Sequence, residues 1–196
     1  KQLAFSGLFV DCNAIAPQKS RLIAEQFGYQ HYVDGGIVGG PAWKSKSDTR
    51  LYLSGDRSNE IAALFDNSPL HTAVIDGEIG AASAMKIVFA AYTKGTTALL
   101  TAILGVAERE GVRNVLESRW GPAFTKQAHQ RVTDNSAKAW RFEGEMLEIA
   151  ATFENAGLPG GFHVAAAEVF EQLAQFKNEP AANIVELLKA LDQPGD

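Results

Sequence analysis

Lys86 is the only charge in Gly80-Ala81-Ala82-Ser83-Ala84-Met85-Lys86, a run of small and apolar residues that opens a long helical pattern. A lysine desolvated in such a setting is pushed towards its neutral form, and a partly neutral amine can move protons to and from a hydroxyl or carbonyl oxygen. The plainer reading, favoured by composition alone, is a stem lying on apolar surface with its head in water. A second candidate is Asp34-Gly35-Gly36-Ile37-Val38-Gly39-Gly40-Pro41, where four glycines at a strand end expose backbone N–H groups able to hold a carboxylate or phosphate. Tight turning explains the same glycines equally well. Their spacing is not that of the dinucleotide fingerprint, and no helix start follows at once. Lys44, Lys46 and Arg50 come next and could add positive charge for an anionic substrate, although a solvated loop accounts for them more simply.

Asn13 ends another apolar run, Leu8-Phe9-Val10, and either meets a bound amide such as nicotinamide or forms an Asx-turn that starts the next helix. His31, His71, His129 and His163 show no pair at metal-ligand spacing and no carboxylate placed to orient them, so they read as structural or surface residues and no metal site is expected. Cys12 has no base or cation near it in sequence and reads as a buried small hydrophobe. No Gly-x-Ser-x-Gly elbow is present.

These residues need elements to place them. Residues 1–79 alternate strand and helix. Strands are expected near Leu8, Tyr29 to Val33, Arg50 to Ser54 and His71 to Ile75. Helices are expected from Pro17 to Phe27, where Gly28 stops the pattern, and from about Asn59 to Phe65. That alternation predicts parallel βαβ units, whose functional residues lie at the carboxyl ends of strands, where Asn13 and Gly39-Gly40 fall. From Gly80 strand signals vanish. Helical patterns run over Ala81 to Glu110 and near Pro122 to Arg131, Ser136 to Asn155, Gly161 to Lys177 and Pro180 to Leu191, with Trp140, Leu147, Ala150 and Phe153 expected to face a core. The fold class is therefore α/β followed by all-α, with domains at residues 1–79 and 80–196.

The chain of 196 residues is 46% hydrophobic and 21% charged, which excludes disordered and fibrous classes. Its net charge is −5 and neither half is basic, so neither nucleic acid nor an anionic membrane is the expected partner. The longest uncharged apolar stretch, Gly95 to Ala107, is well short of the roughly 20 residues a bilayer needs. One cysteine allows no internal disulfide, and no secretory signal opens the sequence, so a cytoplasmic protein is expected. The helix from Ala81 to Glu110 would be about 45 Å long. Its apolar residues Val88, Phe89, Tyr92, Leu99, Leu100, Ile103 and Leu104 spread over more than one face, which points to a homodimer built through the helical half.

Taken in order, Val10-Asp11-Cys12-Asn13-Ala14-Ile15-Ala16-Pro17, then Val33 to Gly40, then Gly80 to Lys86, resemble the β-hydroxyacid dehydrogenase and 6-phosphogluconate dehydrogenase superfamily over essentially the whole chain. The likeness is strongest to its phosphogluconate-dehydrogenase-like NAD(P)-binding members with an uncharacterised C-terminal helical domain. The resemblance implies the C-terminal half of a Rossmann domain followed by a 6-phosphogluconate dehydrogenase-like helical domain. By the same resemblance Asn13 and Ala14 touch the nicotinamide side of NADP or NAD, Val38, Gly39 and Gly40 bind a small anionic substrate, and Lys86 is the catalytic lysine. Departures fall on substrate contacts: Val38 stands for the usual serine, Ala90 for an asparagine, Ala82 for a middle glycine, and Gly144-Glu145-Met146 for Lys-Asp-Leu.

The function implied is an NAD(P)-dependent oxidoreductase, passing hydride between nicotinamide and a small hydroxyacid or related acidic substrate with Lys86 as general acid/base. The rival is a non-catalytic dimerisation or ligand-binding module, which the losses at Val38 and Ala90 favour. Superfamily members carry a βαβαβ half with the Gly-x-Gly-x-x-Gly loop ahead of the point where this sequence starts, so a preceding segment of about 80 residues is expected, without which NAD or NADP is not bound usefully.

Overall fold

The computed structural model describes residues 5–44 and 47–191. Of the residues singled out above, Lys46 lies outside them. Two compact units are present: residues 1–90 with 151–157, and residues 91–150 with 158–196. The helix that carries Lys86 thus belongs with the strands that precede it.

The first unit is built on strands β1 (Phe9–Asp11), β2 (Tyr32–Val38), β3 (Arg50–Ser54) and β4 (His71–Val74), which lie side by side in sequence order. Helix α1 (Pro17–Phe27) joins β1 to β2 and α2 (Ser58–Ala63) joins β3 to β4, and both of these pairs are parallel as the βαβ pattern requires. The middle pair corrects the expected all-parallel sheet, for β2 and β3 run antiparallel, with Val38 opposite Arg50. The segment between them contains no helix, and a parallel return needs a crossover of a dozen or more residues, usually helical.

The glycine-rich segment is also corrected. Asp34 to Val38 is strand rather than loop, so only Gly39 and Gly40 extend past its end. Alternation along β2 sends Val33 into a core with Leu51, Leu53 and Ile61, while Tyr32 packs with Ala24 and Ile79 on the opposite face. On the Tyr32 face the side chain of Asp34 is fully buried. Its carboxylate accepts from Ser20 Oγ at 2.8 Å, Ser83 Oγ at 2.5 Å, Ser54 Oγ at 3.1 Å, and the backbone N–H groups of Gly80 at 3.0 Å and Ser83 at 2.9 Å. Ser54 Oγ in turn accepts from the N–H of Ala82 at 3.0 Å. Helix α3 (Ala81–Ala90) therefore begins on strand side chains that take up N–H groups a helix start leaves without intrahelical partners.

One glycine lets α3 lie on the strand, and a second admits the segment that follows β1. A Cβ at Gly36 would come within 2.6 Å of the Ala82 carbonyl oxygen and 3.1 Å of Lys86 Cβ, and one at Gly35 within 2.7 Å of Cys12 Sγ. The glycines of this segment serve close packing of helix and loop on the strand, the reason neither of the sequence readings named.

In the second unit a π-turn (Ala91–Gly95) leads into α4 (Thr96–Arg109), α5 (Arg113–Trp120), α6 (Pro122–Ser136), α7 (Ala139–Asn155), α8 (Gly161–Gln172) and α9 (Ile184–Ala190). Helix α5 has no buried residue and hence no apolar stripe to announce it in sequence. In α7 the expected core face is corrected: Trp140 and Leu147 are 43% and 46% exposed, whereas Phe142, Met146, Ile149 and Ala150 are buried. The stripe through Phe142 wins because its ring meets Phe170 edge-on at 5.2 Å, while Trp140 sits outside beneath the Lys177 ammonium. The α9 helix starts at Ile184 rather than Pro180, because Asn183 Oδ1 accepts from the Glu186 N–H and so caps it.

Ala81–Arg109 has the length and composition of a membrane-crossing helix. Along it Ala82, Ser83, Ile87, Thr97, Thr101 and Leu104 are buried, Val88, Tyr92, Leu99 and Val106 are exposed, and Lys94 is paired with Glu145.

The Asp34 cluster sets a stability test. Asp34→Ala leaves five donors without their acceptor and should destabilise the protein by about 3–5 kcal/mol, with Asp34→Asn losing less. Urea unfolding followed by circular dichroism measures both, and a loss within about 0.5 kcal/mol for either, the size of a neutral surface substitution, would remove Asp34 from this role.

Candidate functional site

Since β1 and β2 are parallel neighbours with Asp11 opposite Asp34, the end of β1 lies beside the middle of β2, and Cys12 comes against Gly35, short of the Val38-Gly39-Gly40 end of the strand. Asn13 is exposed, and both its N–H and its side-chain amide donate to Asp11 Oδ1, at 2.8 and 2.7 Å. The turn therefore belongs to Asp11, and Asn13 does not cap α1, whose N-cap is Ala16. Ala14 follows, half-buried.

Lys86 is half-buried on α3, one turn beyond Ser83, and its Nζ donates to the Cys12 carbonyl oxygen at 3.1 Å. The first and third sequence segments thus meet directly. Tertiary structure also corrects the isolation expected of Cys12: Lys86 supplies a cation beside it. That cation draws the thiol pKa down, but burial is the larger effect, with Asp11 and Asp34 adding to it, and the net shift is upward. Cys12 packs on the Val33–Leu53 core as a small hydrophobe does. Deeper in, burial pushes Tyr32 up to about 12, so its hydroxyl stays protonated and donates to Ser20 Oγ at 2.9 Å.

Beyond Lys86 a cleft of about 490 Å³ is lined by Val38, Gly39, Gly40, Arg50, Tyr52 and Phe89, with Lys44 and Asp48 also on its wall. Thr49 shapes it. Its Oγ1 donates to the Gly40 carbonyl at 2.6 Å, and a Cβ at Gly39, where φ is +126°, would lie 2.7 Å from Thr49 Cα. Only glycine fits there without strain. Beside Gly40 the space is open. Arg50 pairs weakly with Asp48, 3.7 Å apart, and both side chains are exposed.

Three of these residues escaped sequence reasoning. Phe89 lies three residues after Lys86 and so near it on the helix surface, while Tyr52 and Thr49 depend on the antiparallel register of β3, which no local pattern announced.

The histidines divide. His31 Nδ1 meets the Gly7 carbonyl at 3.0 Å, His71 is exposed on β4, and His163 is buried, which lowers its pKa. His129 corrects the expectation that no carboxylate orients a histidine, since its Nε2 lies 2.8 Å from Glu117 Oε1, joining α6 to α5. Among the described residues no three His, Cys, Asp or Glu side chains converge as metal ligands do.

Comparison with known proteins gives the following likenesses. A family model described as a domain of unknown function, DUF1932, matches residues 104–173. An uncharacterised 28.5 kDa protein from the 7S RNA 5′ region of Methanothermus fervidus is 26% identical over 147 residues, covering 73% of this chain and 57% of that protein. A solved structure of a conserved protein of unknown function, described as similar to 3-hydroxyacid dehydrogenases, is 28% identical with a TM-score of 0.63 over 86% of this chain and 66% of its own. A conserved hypothetical protein from Sinorhizobium meliloti 1021 shares the fold at 24% identity, with a TM-score of 0.71 over 93% of this chain and 66% of its own. The chain thus spans about three-fifths to two-thirds of the length of these relatives.

Cys12 offers a probe of the site. Its alkylation by iodoacetamide should be slower at pH 8 than that of a free cysteine and still rising at pH 9, because the thiolate is disfavoured. Replacing Lys86 by Met removes the downward influence and should move the profile to still higher pH. A profile that moves down instead refutes the arrangement.

Proposed function

We propose that this chain is of the β-hydroxyacid dehydrogenase type, as its likeness to a solved structure described as similar to 3-hydroxyacid dehydrogenases supports, and that the protein is an NAD(P)-dependent oxidoreductase acting on a small hydroxyacid or related acid. The observation that carries the proposal is the placing of Lys86 Nζ against the Cys12 carbonyl, at the carboxyl end of β1 and over Gly36 of β2. A lysine held there by a neutral carbonyl stands beside the backbone that leads to Asn13.

The residues present suit a nicotinamide. Asn13 is exposed and its amide is oriented by Asp11, so Asn13 and Ala14 would hold the carboxamide side of the ring. NAD or NADP would supply or accept the hydride. The chain's own part is acid–base and electrostatic. Lys86 Nζ takes the proton from the substrate hydroxyl in oxidation and returns it to the carbonyl oxygen in reduction. Backbone at Gly39-Gly40, with Lys44 and Arg50 on the same cleft, holds the acidic group. Asp34 acts through the start of α3, fixing the helix on which Lys86 stands.

We assign the working form as a cytoplasmic homodimer joined through the helical unit, with neither nucleic acid nor a membrane as partner. Tyr92, Leu99, Ile103 and Val106 support the dimer, as large side chains exposed along the π-turn and α4. The rival reading, a module without catalysis, draws on Val38 and Ala90, where resemblance leads one to expect serine and asparagine.

One experiment separates the two. In the whole protein, Lys86→Ala should lower kcat at least about 100-fold and leave NAD(P)H affinity unchanged, since a proton-transfer group is removed rather than a binding group. A loss of only about threefold, well below the worth of general acid–base catalysis, sinks the role of Lys86. Absence of any NAD(P)H-dependent turnover in the unaltered protein favours the module.

A further inference from the structure

Resting on that reading of the cleft, we infer that its substrate is a monocarboxylate with an apolar, preferentially aromatic, body rather than a short polyhydroxylated or phosphorylated acid. The floor is one face of the β2–β3 pair. In register, Asp34 lies opposite Ser54, Gly36 opposite Tyr52 and Val38 opposite Arg50, and cross-strand partners share a face. Helix α3 follows the same line, with Ser83 bonded to Asp34, Lys86 against Gly36, and Phe89 lining the cleft with Val38. The face therefore changes character from the buried end outward. Carboxylate and serine hydroxyls come first, then the lysine level with Tyr52, then an apolar zone of Val38 and Phe89 with Arg50 at its rim.

That zone has little to offer a polyol. Each hydroxyl taken out of water needs a hydrogen-bond partner, and the isopropyl of Val38 gives none. Of the neighbouring hydroxyls, that of Thr49 donates to the Gly40 carbonyl and lies 2.8 Å from Ser47 Oγ. Phe89 is 43% exposed and Tyr52 half-buried, so two aromatic side chains stand ready to cover an apolar or aromatic body.

Charge adds to this: Lys44 and Arg50 line the cleft together with Asp48, and either cation can meet a carboxylate. Arg50 is held by an exposed pair of the kind that contributes little in water, and it can turn to an incoming anion.

The test uses ligand-observed NMR titrations of the full chain with 3-phenylpropionate, glycerate and 3-phosphoglycerate. The expected result is 3-phenylpropionate binding at least about tenfold tighter than glycerate, the scale on which an apolar pocket discriminates. Phe89→Ala should cut that preference at least threefold, and Val38→Ser should raise glycerate affinity, with circular dichroism confirming that both variants fold. Glycerate or 3-phosphoglycerate binding as tightly as the aryl acid, a preference untouched by Phe89→Ala, or no binding of any acid at millimolar concentration each overturn the inference. Hydride transfer in the whole protein keeps the two proposals apart. Aryl preference without NAD(P)H turnover overturns the oxidoreductase reading and supports the substrate class. Turnover of short hydroxyacids with no aryl preference overturns the substrate class alone.

Discussion

The carboxylate of Asp34 is the constraint on which the first unit depends. A fully buried carboxylate is tolerated only where hydrogen bonds replace its hydration, and here five donors from α1, β3 and the start of α3 converge on it. Together the donors fix three elements, α1, β3 and α3, against β2. The N–H groups of Gly80 and Ser83 would otherwise be unsatisfied at the helix start, and the negative charge lies at the positive end of the helix dipole. One residue therefore answers for the strand, the helix and the angle between them.

The position of Lys86 follows from this anchor. With Ser83 tied to Asp34, helical geometry carries Lys86 one turn along the strand, and bare Gly36 lets the helix come down until Lys86 Nζ reaches the Cys12 carbonyl. Farther on, the same line of approach brings Phe89 to the cleft wall. The antiparallel return of β3 adds Tyr52 and Arg50 opposite it, and Thr49 closes the Gly39 turn. A parallel β3 would have put other residues there. Val38, where the resemblance leads one to expect serine, lies in this outer part.

The helical unit is organised by polar joints as well as by its core. Arg131 donates to Thr97 Oγ1 and the Thr93 carbonyl, both at 2.8 Å, and so ties α6 to the π-turn and α4. A π-turn shifts the backbone hydrogen-bond ladder by one residue, and an arginine with several donors suits the carbonyls it leaves. Glu117, between Arg113 and His129, does comparable work for the α5–α6 pair.

By itself the sequence determined what depends on neighbours along the chain. Pro17 and Gly28 bound α1, β-branched and apolar runs mark the four strands, and the loss of strand pattern after Gly80 announces the helices. The setting of Lys86 among small residues was equally plain. Tertiary structure alone decided which way β3 runs, that Asp34 joins residues 46 and 49 positions away, that Cys12 has a cation beside it, and which face of α7 is buried. The reason is physical. Periodicity and capping act within a few residues, so composition and spacing record them, whereas a buried carboxylate, a close helix–strand approach or an edge-on aromatic pair is satisfied by groups distant in sequence that only packing brings together.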